Sequence, residues 1–129
     1  MRERYPAQDR LVHHLIRLAD QHAGWMVPDG DITYFSLNQK LPYADYRIVV
    51  TKRLCYKVLA VGEDSIHELD LEVYNTEGFL IEKDNHQGRV GWLGKEDSLC
   101  PGKSQALRVH LKASRGHGRV AVQLIRSVL

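Results

Sequence analysis

Six basic side chains lie close together near the end of the chain and form its clearest candidate ligand-binding group. A cluster of this kind can contact an acidic polymer such as a polysaccharide, lipid head groups or nucleic acid. Nucleic-acid readers interleave stacking aromatic residues with basic ones, and none occur here, so nucleic acid is not the expected partner. The alternative is a solvated face that protects an edge strand from aggregation. The candidate residues are Arg108, His110, Lys112, Arg115, His117 and Arg119.

Three aromatic residues in or near predicted loops extend the list of candidates. Trp25, Tyr43 and Trp92 each lie beside turn-forming residues. Exposed rings at one end of a β-sandwich are suited to gripping sugars or partner proteins, because one part of the side chain is apolar and another can face water. Packing into the core is the alternative for either tryptophan. We add Trp92 to the candidate ligand-binding residues.

Acidic and amide side chains between positions 70 and 85 could bind calcium, which takes six to eight oxygen ligands from flexible loops. Their spacing matches no EF-hand loop, and such residues also form turns and solvated strand faces. We therefore expect no cofactor and retain calcium as an alternative. Its candidate ligands are Asp70, Asn75 and Asp84.

The seven histidines do not form a recognisable zinc site. His13 and His14 are adjacent on a predicted helix and point in different directions. His110 and His117 could meet across a hairpin. Structural zinc needs four ligands in tetrahedral array, and the sequence marks no further ones, so ordinary surface histidines are the favoured interpretation.

No catalytic motif is evident. Ser104 and Ser114 lack the Gly-x-Ser-x-Gly context of a nucleophile elbow. A nucleophilic cysteine needs a neighbouring base, and no Cys/His pattern appears. No paired carboxylates lie on a recognisable cleft scaffold. An enzyme is therefore not expected.

The bulk composition predicts one ordinary domain, residues 1–129. The chain has 129 residues, a net charge of +2, and 43% hydrophobic residues, which fits a chain that buries its own core. No apolar run approaches the roughly 18 residues of a membrane helix. The first residues are charged, which is atypical of a signal peptide, and residues 1–6 are expected to be a frayed tail.

Hydrophobic periodicity predicts a leading helix and then strands. Residues 7–23 place leucines at helical spacing, and Gly24 is a natural stop. From residue 32 the period changes to two, with short strands about every ten residues. The fold class predicted is all-β: an antiparallel, jelly-roll-like β-sandwich of about eight strands with one N-terminal α-helix packed on it. The helix occupies residues 1–24 and the sandwich residues 29–127.

Three of the predicted strands have distinctive patterns. Residues 55–61 are apolar on both faces, as in a central strand covered on its outside, and the leading helix could supply that cover. Residues 105–113 and 119–125 alternate most clearly, and the glycine-containing segment 114–118 between them predicts a hairpin. That hairpin would carry the basic cluster on its solvent face and at its tip.

The ordered motifs resemble a known family. A leading helix is followed by Cys-Tyr-x-Val-x-Ala-Val-Gly, Leu-Asp-Leu-x-Val-Tyr-Asn-x-x-Gly, a Cys-Pro pair before a strand, and a closing Gly-x-Gly-x-x-x-Val-Gln-Leu. Over roughly residues 29–126 this resembles the pre-peptidase C-terminal-like β-sandwich domains of secreted bacterial proteins, in a cysteine-containing variant. The resemblance implies an extracytoplasmic jelly-roll-like accessory module. Some relatives bind calcium or polymeric substrates.

The resemblance also bears on the two cysteines. In the family variant, cysteines at the positions of Cys55 and Cys100 look paired. Such a bond would indicate an oxidising compartment. The alternative is two separate buried thiols, since free cysteine is often a small core residue.

The function predicted is a non-catalytic binding or adaptor module located in the periplasm, at the cell surface or outside the cell. It would recognise a protein or a polysaccharide through its loops and the last hairpin. One alternative is an assembly subunit that associates with itself through its helix or an edge strand. A second is a calcium-stabilised accessory domain of a secreted enzyme.

Overall fold

The computed structural model describes residues 6–85 and 87–128, and for residues 6–9 and 23 it describes the backbone alone. The predicted frayed tail of residues 1–6 therefore lies outside the described residues except for Pro6. No helix in the described ranges is long and apolar enough to cross a membrane.

The described residues form one α-helix followed by nine strands. Helix α1 spans Pro6–Ala23, and a short 3-10 turn spans Lys95–Asp97. The strands are β1 (Val27–Pro28), β2 (Thr33–Leu37), β3 (Tyr43–Val50), β4 (Tyr56–Gly62), β5 (Ile66–Tyr74), β6 (Leu80–Asp84), β7 (Val90–Leu93), β8 (Gln105–Gly116) and β9 (Gly118–Arg126).

The strands pair into two antiparallel sheets. Sheet A has the order β1-β9-β4-β7, and β2 also pairs with β9, alongside β1 on the same edge. Sheet B has the order β3-β8-β5-β6. Apart from the β5–β6 pair, which lies within sheet B, strands β2 to β9 alternate between the sheets in the order of a jelly roll, a double-sheet arrangement of eight strands. The predicted fold class is confirmed, and β1 is a short strand that the sequence did not indicate.

The main core lies between the sheets, where apolar side chains alternate with outward-facing residues. In β5, Leu69, Leu71 and Val73 are fully buried and pack against the inward residues of β8. Burying each such aliphatic side chain contributes roughly 1.5–3 kcal/mol. The inward assignment predicted for these three residues is confirmed.

Helix α1 covers the outer face of sheet A and forms a second core there. Leu11, Leu15 and Leu18 are buried against β4 and β9. Beneath them lie Leu59 and Val61 of β4, whose neighbours Val58 and Ala60 face the other core. The prediction that the helix covers this strand is confirmed.

A disulfide joins Cys55 to Cys100, which are 45 positions apart in sequence. It links the residue just before β4 to the connection between β7 and β8. Nearby, the Tyr56 amide donates to the Leu99 carbonyl over 3.0 Å, and the Ser127 amide to the Cys55 carbonyl over 2.8 Å. The bond implied by the family resemblance is therefore present.

The predicted hairpin of β8 and β9 is wrong. Strand β8 pairs with β3 and β5 in sheet B, whereas β9 pairs with β1, β2 and β4 in sheet A. The chain crosses between the sheets at His117, whose amide donates to the Ser65 carbonyl over 3.2 Å. Gly116 makes the corner possible, since its φ is +84° and a Cβ there would overlap the Ser65 carbonyl oxygen.

Removing the disulfide should lower the free energy of unfolding. For the Cys55→Ser/Cys100→Ser variant we expect a loss of about 4 kcal/mol, because the chain-entropy model gives this value for a loop of about 46 residues. Urea unfolding measures it. Wild-type protein treated with reductant is the control and should match the variant. A loss below about 1 kcal/mol would contradict the constraint expected of this bond.

Candidate functional site

The six basic residues predicted as one cluster occupy two separate places. Arg108, His110 and Lys112 lie on the outer face of sheet B, because they alternate along β8 with the buried Leu107, Val109 and Leu111. Arg115 and His117 lie where the chain leaves sheet B, and Arg119 begins the path of β9 in sheet A. The cluster does not share one hairpin surface.

The outer face of sheet B carries side chains in rows that follow the register of its strands. Neighbours in a row are directly opposite one another, so their side chains interact. One row alternates between acidic and basic residues across all four strands. The rows are Asp45–His110–Glu72–Lys83, Tyr43–Lys112–Asp70, and Arg47–Arg108–Tyr74.

Asp45, on the edge strand β3, joins Arg108 and His110 of β8 into one hydrogen-bonded group, called here the Asp45 group. Its Oδ1 lies 3.0 Å from Arg108 Nη1 and 2.9 Å from His110 Nδ1. The hydrogen bond from His110, and then that from Arg108, lowers the pKa of Asp45, and desolvation opposes them. Both bonds go to the same oxygen. Among the described residues, Oδ2 has no hydrogen-bond partner and can accept a hydrogen bond from a ligand.

Two tyrosines flank the Asp45 group. The Arg108 guanidinium lies 4.4 Å from the centre of the Tyr74 ring, a cation–π arrangement. The Tyr74 hydroxyl donates to Glu72 over 2.6 Å, and this bond raises the pKa of the tyrosine. On the other side, the Tyr43 ring centre is 5.6 Å from that of His110. Tyr43 is 47% exposed and can therefore contact a ligand.

A shallow cleft of about 410 Å³ opens beside these residues. Its floor includes apolar parts of β8, and the β5–β6 turn forms one wall. Asn75 shapes that turn, since its Oδ1 accepts from the amides of Glu77 and Phe79 over 2.9 and 3.0 Å. The cleft is lined by Asp45, Arg47, Asn75, Thr76, Ala106, Leu107 and Arg108.

Two of the remaining basic candidates, Arg115 and Arg119, form ion pairs at the end of the sandwich. Arg119 donates to Glu63 Oε2 from Nε and Nη2, over 3.3 and 3.1 Å, and its amide donates to Glu63 Oε1 over 2.8 Å. Arg115 Nε lies 3.8 Å from Glu68. The first contact attaches the β4–β5 loop to β9, and the second joins the paired strands β5 and β8. The sheet B site includes neither of them.

Trp92 lies on sheet A, on the opposite side of the molecule from the Asp45 group. Its ring centre is 4.7 Å from the His22 ring centre, and the ammonium groups of Lys57 and Lys95 are each 4.7 Å from the Trp92 ring. The ring is partly buried under the end of α1. Trp92 therefore belongs to the helix–sheet contact and is separate from the candidate residues of β8.

The three calcium candidates take part in three different local structures. Asp70 accepts a hydrogen bond from the Ser114 hydroxyl. Asn75 holds the β5–β6 turn. Asp84 is buried, accepts from the Trp92 amide over 2.8 Å, and lies 3.5 Å from Lys95 Nζ. Within the described ranges, the one cluster of at least three histidine, cysteine and acidic residues is Cys55, Asp97 and Cys100, and its sulfurs are joined in the disulfide.

The sequence did not predict that three members of the site lie beside the basic residues of β8. These members are Tyr43, Asp45 and Tyr74. The two-residue period of β3 puts Tyr43 and Asp45 on the face opposite Ile48 and Val50. That pattern gives the face but not the partner strand. Only the pairing of β3 with β8 and of β8 with β5 brings these residues together.

Comparison with known proteins gives no family. No family model matches the chain, and no curated protein matches it. The similar solved structures include the Drosophila NLP core, described in terms of pentamer formation and histone binding: it is 10% identical, with 77% of this chain and 100% of that chain covered and a TM-score of 0.34. Accessory secretory protein 1, 2 and 3 of Streptococcus pneumoniae is 17% identical over 79% and 74% of the two chains, with a TM-score of 0.37.

A third similar structure is the enzymatically active domain of bacteriophage CBA120 tailspike protein 4. It is 10% identical, with 81% of this chain and 19% of that chain covered and a TM-score of 0.40. Because these TM-scores are all below 0.5, the three likenesses support no inference about function.

Replacing His110 should raise the pKa of Asp45. In His110→Ala the carboxylate loses its strongest stabilising hydrogen bond, so its pKa should move up toward the ordinary value. The folded pKa of Asp45 is depressed, so its stabilising effect is complete above the ordinary carboxyl pKa and is lost as the pH falls through the folded value. An NMR titration of the Asp45 carboxyl carbon measures the shift. Lys112→Ala, on the same strand face, is the control and should change it less; an unchanged pKa in His110→Ala would refute the assignment.

Proposed function

We propose that this protein is a non-catalytic binding module that recognises a polysaccharide on the outer face of sheet B. The observation that carries the proposal is the Asp45 group, in which Arg108 and His110 hold one carboxylate oxygen while the other remains open. A hydroxyl-rich chain can donate to that oxygen. The predicted binding through a last hairpin is withdrawn, because that hairpin does not exist.

The charge distribution supports a neutral, hydroxyl-bearing ligand over an acidic one. His110 and Lys112 are basic, but Asp45 and Glu72 stand opposite His110 and Asp70 stands opposite Lys112. Arg108 stands opposite Arg47 and Tyr74, and Asp45 pairs with Arg108 from the neighbouring row. The face therefore offers fixed donors and acceptors with little excess of charge. The exposed ring of Tyr43 adds a flat apolar surface, which suits the face of a sugar ring.

An extracytoplasmic location forms part of the proposal. The disulfide between Cys55 and Cys100 supports it, because such bonds persist in oxidising compartments and are rare in the cytosol. The resemblance to bacterial pre-peptidase C-terminal-like domains supports it from the sequence. We therefore place the module in the periplasm, at the cell surface or in the medium.

Binding should depend on Tyr43 and Asp45. A screen of soluble polysaccharides, followed by calorimetry with the tightest binder, would identify a ligand for wild-type protein. Tyr43→Ala should weaken it about tenfold, which corresponds to roughly 1.4 kcal/mol, because the stacking surface is lost. Asp45→Ala should weaken it at least as much, since Arg108 and His110 also lose their anchor.

Tyr43→Phe keeps the ring and should retain affinity within about threefold. Trp25→Ala removes another exposed aromatic residue, 63% exposed outside sheet B, and should leave binding unchanged. The proposal fails if no neutral polysaccharide binds, or if Trp25→Ala and Tyr43→Ala weaken binding equally.

One observation favours a second candidate function, assembly with further copies of this chain. Strand β6 is an outer strand of sheet B, and Phe79, Leu80 and Ile81 at its start are 66%, 47% and 37% exposed. Three consecutive exposed apolar residues on an outer strand offer unpaired backbone groups and apolar area to another strand. A second copy could pair there and extend the sheet.

Light scattering over a range of protein concentrations tests this second function. Wild-type protein should associate, and Ile81→Lys should shift it to monomer because a charge then lies in the contact. Ile16→Lys is the control. It places a charge on the exposed face of α1 and therefore tests whether assembly uses the helix instead of β6. A wild-type monomer at every concentration would remove the second function, and an effect of Ile16→Lys alone would assign assembly to the helix.

A further inference from the structure

A second cleft, of about 530 Å³, lies where α1 passes over the end of sheet A. One wall is the helix, and the other is formed by the β4–β5 loop and the residue before β7. The lining is mostly charged. It consists of Arg10, Leu11, His13, His14, Arg17, Glu63, Asp64, Ser65 and Arg89.

Basic side chains reach this cleft from both walls. Arg10, His13, His14 and Arg17 follow spacings of three and four on α1, so they share one side of the helix. Arg89 faces them from the opposite wall. Its Nη1 donates to the Gly62 carbonyl over 3.0 Å and lies 3.4 Å from His14 Nδ1. The Arg89 guanidinium is thereby held in place across the cleft from the helix.

The acidic side chains of the cleft do not balance this charge. Glu63 is already paired with Arg119, over 3.1 Å. Asp64 lies 3.4 Å from Arg89 Nη2, but its side chain is 93% exposed, so water screens the pair. Within the part of the chain that the structure describes, neither Arg10 nor Arg17 has an ion-pair partner. Three guanidinium groups therefore face one screened carboxylate.

The positive charge of the cleft also affects His14. Burial is the largest cause that lowers the pKa of His14, the nearby Arg89 and Arg17 lower it further, and Asp64 raises it. The remaining charged or titratable groups of the cleft are Arg10 and His13 on the helix and Glu63 on the β4–β5 loop. The neutral ring can accept a hydrogen bond at Nδ1 from Arg89, which fixes the remaining proton on Nε2.

We propose that this cleft binds a phosphate or sulfate group, with Arg10, Arg17 and Arg89 as its principal contacts. A tetrahedral oxyanion presents several oxygens, and guanidinium groups match them with two parallel N–H donors each. The Ser65 hydroxyl and the His14 Nε2 proton line the same space and can donate as well. The site is separate from the sheet B face, so its test does not depend on the outcome of the polysaccharide proposal.

Binding in the cleft should take up a proton. A bound dianion lowers the positive potential at His14, so the depressed pKa of this residue rises toward or above its ordinary value. Between the free and bound pKa values, the ring becomes protonated as the anion binds. The affinity for sulfate, which stays a dianion over this range, should therefore increase as the pH falls from about 7.5 to about 6, and this increase should be smaller in His14→Gln.

The experiment is a calorimetric titration of the whole chain with inorganic phosphate, with sulfate and with a heparin hexasaccharide. We expect saturable binding of the free anions at millimolar concentration, about −4 kcal/mol. Tighter binding of the hexasaccharide, by tenfold or more, would assign the site to a polymer-borne sulfate. Equal or weaker binding would assign it to a small phosphorylated or sulfated ligand.

Two variants make the test specific. Arg10→Gln/Arg17→Gln should weaken binding of every probe at least tenfold, since two of the three guanidinium groups are removed. Lys103→Gln removes an exposed charge outside the cleft and should change affinity less than twofold. Circular dichroism and thermal melting establish that each variant is folded. Absence of saturable binding by all three probes, or equal losses in the arginine and lysine variants, would overturn the proposal.

Discussion

The burial of sheet A on both faces is the constraint on which the rest of the structure depends. In β4, Val58 and Ala60 face the sandwich core while Leu59 and Val61 face outward, and all four are fully buried. A strand that is apolar on both sides needs two covering layers. Sheet B covers one side, and α1 covers the other. Without the helix, sheet A would expose a contiguous apolar patch of the kind that causes association.

This arrangement determines where ligands can reach the molecule. The helix occupies the outer face of sheet A, so the outer face of sheet B is the large sheet surface left to solvent. Its polar rows are consistent with that exposure. Helix α1 packs across sheet A next to the β4–β5 loop, and a cleft lies between the basic side of the helix and that loop. The packing that buries Leu11 and Leu15 thus also positions Arg10 and Arg17 over Arg89.

Local patterns predict the elements better than their partners. The spacing of Leu11, Leu15 and Leu18 indicates the helix, and the two apolar faces of residues 55–61 indicate its position. The segment between β8 and β9 is different. Its glycines and alternating flanks are equally typical of a hairpin and of a corner between two sheets, and only the close approach of Gly116 to Ser65 distinguishes them. The Asp45 group and its two flanking tyrosines could not be predicted for the same reason, since they meet only when β3 pairs with β8 and β8 pairs with β5.

The two proposed sites have opposite electrostatic requirements. On sheet B, Arg108 stands directly opposite Arg47, a pairing of like charges that is unfavourable by itself. Asp45 and the Tyr74 ring offset that repulsion, so the charge of Arg108 is largely compensated by groups of the protein itself. An anionic ligand would meet the Asp45 carboxylate there and would be repelled. In the cleft under α1 the guanidinium groups of Arg10 and Arg17 have no such partner among the described residues, so a neutral sugar would leave their charge uncompensated. Each surface therefore selects against the ligand class that the other one favours.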